Sequence, residues 1–242
     1  MNVDLQLGFI LHQRPYRETS VLLDIYSQDY GRLSILAKGV RRKKRSQAGL
    51  LQLYQPLLLS WFGRSDLQVL NAVEASGPAY LLQAESALCG LYINELMVKL
   101  LPLCETEPEL FDAYKQALLG LQSGGNNEIT LRLFEKHLLS HLGYGLVIEH
   151  EAETGVKIAV EESYYYVADT GLHRWQPGMR FNRISGVSLQ HLIDEQGFDK
   201  TSLKEIKQLM RMVIHFYIAG APCEAVIYSI NNIQRQRINR NG

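Results

Sequence analysis

At 242 residues, 46% hydrophobic and 21% charged, the chain has room for one large domain or two to three small ones, and its composition is that of a globular protein. No stretch approaches ~18 uncharged apolar residues, so no membrane span is expected, and Asp4 and Gln6 break any leader-like apolar start, which makes the cytoplasm the expected location. The formal net charge of zero conceals a segregation. Residues 1–49 hold nine Lys/Arg against four Asp/Glu, residues 50–112 two against eight, residues 113–199 seven against eleven, and residues 200–242 seven against two, so basic ends that suit phosphate flank an acidic middle.

The first 76 residues read as strands. Leu5, Leu7, Phe9 and Leu11 alternate with Gln6, Gly8, Ile10 and His12, a period-two pattern. Further strands are predicted over residues 20–27, 32–37, 53–62 and 67–75, with a turn at 28–31 and a hairpin at 63–66. Five short strands with one long loop between the third and fourth predict a small closed barrel of the OB type, although an SH3-like barrel would give a similar pattern.

Helical spacing follows. Residues 84–103 carry Leu88, Leu91, Tyr92, Leu96 and Lys99 at i, i+3, i+4 intervals, with Pro102 helping to end the run. Pro108 opens a second helix that closes at residues 123–125, and Asn126 or Asn127 caps a third that ends at Gly143. Short connections imply an antiparallel bundle. Beyond 144 the signal weakens. Residues 155–175 contain β-type runs, notably 164–167 before a turn at 169–171, two helices are expected near 187–195 and 202–219, and residues 235–241 read as a polar tail. The expected class is α+β, with a barrel domain over residues 1–78 and a helical domain over 79–242 carrying a small β-rich module at about 146–182.

The densest local feature is the run at 38–45, which contains Lys38, Arg41, Arg42, Lys43, Lys44 and Arg45. Like charges so close repel unless an anion is near, and phosphate supplies one while releasing counterions. A solvated loop is the plain alternative. Arg14, Arg17 and Arg32 lie on or beside strands of the same barrel and extend the cationic track. Tyr16, Tyr26, Tyr30 and Tyr54 are available for base stacking, or occupy half-buried barrel positions.

Catalysis has no foothold. There is no Gly-x-Ser-x-Gly elbow and no P-loop. His137 and His141 are spaced i, i+4, but Leu138 stands where a zinc-protease helix needs its glutamate, so they are read as structural. Cys89, Cys104 and Cys223 are scattered, which fits neither a disulfide framework nor a four-cysteine zinc site. No cofactor, catalytic residue or small-molecule substrate is expected.

On the third helix, Leu131, Phe134, Leu138 and Leu142 form one apolar stripe. Ile129, Arg132, Lys136 and Leu139 fall on an adjacent face that would suit a peptide offering both a hydrophobic side chain and a carboxylate. It would equally suit a helix whose long basic side chains lie over core residues.

Four segments in order carry a resemblance: RPYRETS (14–20), YGRLSILAKG (30–39) leading into the basic run, GLYINEL (90–96) and LLSHLGYG (138–145). Together they resemble the bacterial recombination mediators of the RecO family over nearly the whole chain, with little to anchor the likeness after residue 145. The resemblance implies an OB fold, a helical bundle and a small C-terminal module. It implies binding of single- and double-stranded DNA, annealing of complementary strands, and action with RecR in loading the RecA recombinase onto strands coated by single-stranded-DNA-binding protein, SSB. It also implies capture of the acidic, Phe-ending SSB tail in the helical region, with Arg132 and then Lys136 as cations for the terminal carboxylate. Many relatives hold a four-cysteine zinc site in the C-terminal module. This chain has no cysteine between 105 and 222, so no structural zinc is expected and packing through Tyr164, Tyr165, Tyr166 and Trp175 must serve. An RNA-binding barrel factor and a non-catalytic protein adaptor are the rival readings.

Overall fold

The computed structural model describes residues 2–41, 49–63, 67–143, 146–168 and 170–218. Arg42, Lys43, Lys44, Arg45 and the tail at 235–241 lie outside the described residues. The chain forms two compact units that divide between Gly125 and Asn126.

The first unit opens with five strands, β1 (Asn2–Tyr16), β2 (Ser20–Ser27), β3 (Gly31–Ala37), β4 (Leu57–Phe62) and β5 (Leu67–Ala75). They close into a barrel in the order β1-β2-β3-β5-β4. β3 meets β5 in parallel, while β4 returns antiparallel to β1. That order makes the barrel OB-type rather than SH3-like. Strand β3 shows why it forms: Leu33, Ile35 and Ala37 point into the core while Arg32, Ser34 and Leu36 point out. The interior is filled by Ile10, Leu23, Ile25, Leu57, Leu59 and Trp61.

Strand β1 departs from the expected simple alternation. Its register shifts between Val3 and Gln6 and again between Ile10 and His12, as bulges do, and Leu5 is left 52% exposed. Past the first shift Ile10 enters the barrel, and Phe9 faces outward into a ring cluster with Tyr114 at 5.2 Å and Phe111 at 5.7 Å. Both faces of β1 are therefore buried here.

Those rings belong to the outer layer of the unit, helices α1 (Ala84–Leu100) and α2 (Pro108–Gln122). Asn94 ties α1 to the barrel: its Nδ2 donates to the Leu11 carbonyl at 2.9 Å, and its Oδ1 accepts from the Tyr114 hydroxyl at 2.7 Å. Gly31, at φ +65°, is required by a close approach, because a Cβ there would sit 2.0 Å from the Glu105 carbonyl oxygen.

The second unit contains α3 (Asn127–His141), β6 (Ser163–Val167), β7 (Gly171–Arg174), β8 (Ile184–Ser185), α4 (Gly186–Asp194) and α5 (Lys200–Ile218). Asn126 caps α3 by accepting from the Glu128 and Ile129 amides. The three strands form one sheet in the order β7-β6-β8. Tyr164 and Tyr166 turn into the core, where the Tyr164 hydroxyl accepts from the Ala159 amide at 2.8 Å. Helix α5 buries Leu203, Ile206, Met210, Val213 and Ile214 along one stripe. Among the described residues no helix is long and apolar enough to cross a membrane, and no three His, Cys, Asp or Glu side chains are grouped to hold a metal.

Candidate nucleic-acid interface

The sequence-predicted cations separate into three groups. The first converges on the turn between β1 and β2. Arg17 is exposed there, with exposed Arg14 on the last part of β1 opposite Leu22, and the Arg17 guanidinium lies 5.4 Å from the centre of the Tyr16 ring. The chain leaving β3 comes alongside: the Arg41 amide donates to the Thr19 carbonyl at 3.0 Å, and Arg41 Nη1 reaches the Arg17 carbonyl at 3.5 Å. Lys38, also exposed, lines an open groove with Tyr16, Arg17, Glu18 and Leu36. Among the described residues no carboxylate is ion-paired with Arg14, Arg17 or Arg41. The backbone thus starts the basic run at the mouth of a groove that already holds cations. Exposed guanidinium and ammonium groups on such a rim can each meet a phosphate oxygen, while Glu18 in the same turn opposes an anion.

Arg32 forms the second group. It is half-buried on the outer face of β3, and its Nε donates to the Leu101 carbonyl at 2.8 Å. Burial lowers its pKa from the ordinary arginine value, with Asp24 and then Cys104 opposing. Its guanidinium caps the end of α1 and is drawn away from the cationic groove.

Arg132 and Lys136 on α3 form the third. Arg132 is only 4% exposed, and its Nη2 pairs with Oε1 of the fully buried Glu135 at 2.7 Å. Its Nε and Nη1 have no hydrogen-bond partner among the described residues. Lys136 donates to the carbonyls of Leu192 and Ile193 and to Glu195 Oε1 at 2.7–3.1 Å, so it neutralises the C-terminal end of α4. Leu139 is fully buried. The face drawn from the helical wheel as a presentable strip is thus mostly interior, because α3 buries a wider arc than its leucine stripe. Sequence reasoning missed Glu135, although its i, i+3 spacing from Arg132 is a signal for an ion pair.

The stacking candidates narrow in the same way. Tyr26 is buried and donates to the Glu107 carbonyl at 3.1 Å. Tyr30 sits edge-on to Trp61 at 5.3 Å against the barrel core, and the Tyr54 ring lies where a Cβ on Gly90 would touch it. Burial raises the pKa of both Tyr26 and Tyr54. Tyr16 alone of the four lines the groove. His137 lies 3.5 Å from Glu195, at the surface.

Fold and site together define an OB-barrel protein with a cationic groove on the barrel and an α/β second unit. Residues 1–79 match the family model described as Recombination protein O N terminal, and residues 82–223 match Recombination protein O C terminal. The chain belongs to the RecO family. It is 39% identical over 226 residues to the DNA repair protein RecO of Nitrosococcus oceani, covering 93% of this chain and 92% of that one. It is 41% identical over 220 residues to the protein of that name from Coxiella burnetii, covering 91% and 95%, and 40% identical over 216 residues to that of Methylococcus capsulatus, covering 89% and 88%.

Proposed function

We propose that this DNA repair and recombination protein is a non-catalytic mediator. It binds single- and double-stranded DNA on the barrel, anneals complementary strands, and with RecR helps load RecA onto SSB-coated single strands in the cytoplasm, at the nucleoid during repair. The observation that carries the reading is the convergence of Arg17, Lys38 and Arg41 on the β1–β2 turn, at the entrance to the basic run, with exposed Arg14 on the strand leading into it. With Arg42, Lys43, Lys44 and Arg45 continuing that run, the barrel screens repulsion between two phosphate backbones and lets them approach each other. Arg32 joins this surface only as a support, through its hold on α1. The annealing step asks for no bond to be made or broken by the protein.

Capture of the SSB tail is the second part of the proposal. Nε and Nη1 of Arg132 are buried donors without a hydrogen-bond partner among the described residues, which a terminal carboxylate would satisfy once the side chains covering them part, and Lys136 secures the neighbouring end of α4. A tethered tail would raise the local concentration of the barrel at coated DNA.

Titration of labelled oligonucleotides across a salt series tests the DNA reading. Engagement of about five phosphates gives a log–log slope of roughly −3.5 for single strands. Replacing Arg41, Arg42, Lys43, Lys44 and Arg45 with alanine should flatten it. An unchanged slope removes the basic run from the site, and preference for matched RNA over DNA favours the RNA-binding alternative.

A further inference from the structure

The sequence Tyr164-Tyr165-Tyr166 alternates across strand β6, so its middle ring must point away from the core that takes the other two. Tyr165 is not left alone on that outer face. It stacks on Phe181 at 4.4 Å and 14°, and on His173 at 5.2 Å and 20°. β6 is the central strand, so His173 comes from the β7 side and Phe181 from the segment leading into β8. Phe181 is 54% exposed even so. Half-exposed Trp175 stands beside it, donating through Nε1 to the Phe181 carbonyl at 3.3 Å.

The charge around the rings is one-sided. Residues 175–183 contain Arg180 and Arg183 and no Asp or Glu. The Arg183 guanidinium lies 5.9 Å from the centre of the Trp175 ring while its Nε donates to Ser163 Oγ at 2.9 Å, and Arg180 is exposed. Three of the acids in this unit are engaged by other side chains: Glu162 and Glu151 bind Arg174, and Glu153 binds His173. Parallel rings ending in an open face, bordered by arginines that have no carboxylate partner among the described residues, are the elements that hold unpaired bases and their phosphates.

We propose that the outer face of the β6–β7–β8 sheet is a separate contact for single-stranded DNA, with bases stacking on Phe181 and Trp175 and phosphates meeting Arg180 and Arg183. This site belongs to the second unit and does not depend on the barrel groove. Stacking requires unpaired bases, so the site discriminates against duplex.

The test uses the full chain with a fluorescent oligo(dT) and a blunt duplex of equal length. Phe181→Ala should weaken oligo(dT) binding roughly 5- to 100-fold and leave duplex binding within twofold, whereas Phe181→Tyr should restore it. Unchanged oligo(dT) affinity, or equal loss on single strand and duplex, would overturn the proposal, since the rings would then serve packing or another partner. Arg17→Ala combined with Arg41→Ala provides the comparison. If that variant binds as wild type while Phe181→Ala fails, the barrel reading falls and this one stands. The opposite pattern keeps the barrel groove and removes the sheet-face site.

Discussion

Arg32 donates through Nε to the carbonyl oxygen of Leu101 at 2.8 Å, so a cation on the third barrel strand is committed to the end of α1. Arg32→Ala should therefore behave as a stability mutant. Loss of a charge-assisted hydrogen bond predicts a destabilisation of about 1.5–3 kcal/mol in urea denaturation, with DNA affinity of the folded protein within twofold of wild type. A large affinity loss without a stability loss would return Arg32 to the binding surface.

Arg17 and Arg41 predict the reverse. Both are exposed and make only weak contacts, so replacing both with alanine should change stability by less than about 0.5 kcal/mol. If each meets one phosphate, the single-strand salt slope should become shallower by roughly 1.4.

Asn94 is the buried polar link between barrel and helix. Asn94→Ala deprives both the Leu11 carbonyl and the Tyr114 hydroxyl of this partner, which predicts a loss of roughly 2–4 kcal/mol. Tyr114→Phe removes one of the two bonds and should cost less. Chemical denaturation of the two variants checks the order.

Alkaline pH should unfold the protein. Burial raises the pKa of Tyr26, Tyr54 and Tyr114 above the ordinary 10.0. Below pH 10 these phenols are neutral in both states and their contribution is fully present. As pH rises past 10 the unfolded chain loses those protons first, so stability falls. Absorbance at 295 nm should show these three tyrosines ionising together with the loss of far-UV ellipticity.

Arg132 requires a measurement that separates binding from folding. Arg132→Ala leaves Glu135 buried without this cation and should destabilise by about 3–5 kcal/mol. Arg132→Lys keeps the charge and loses the planar fork. Titration with a Phe-ending acidic peptide should show weaker binding to the lysine variant than to wild type, and equal affinities would defeat the tail assignment.

Apolar runs bounded by turn residues located the elements well. The extents of β2 and β5 agree with the strands expected over 20–27 and 67–75, and Asn126 and Gly143 bound α3 as cap chemistry requires. The failures have physical causes. β1 is bulged and buried on both sides, so no single period describes it. β8 has two residues, too few to carry a pattern. A guanidinium reads as surface in a sequence, yet Arg32 and Arg132 each found an oxygen inside the fold, at Leu101 and at Glu135. The convergence of residue 41 on residues 17 and 19 depends on a turn-to-loop approach that no linear spacing encodes.

The doubly covered first strand also governs how the molecule can be dissected. The family's N-terminal match stops at residue 79, but scissors placed there would unroof Phe9 and Tyr26, both 1% exposed beneath Phe111 and Tyr114, and give the severed head a sticky flank. A fragment reaching Gly125 carries its own covering, and it is the shorter piece that should precipitate.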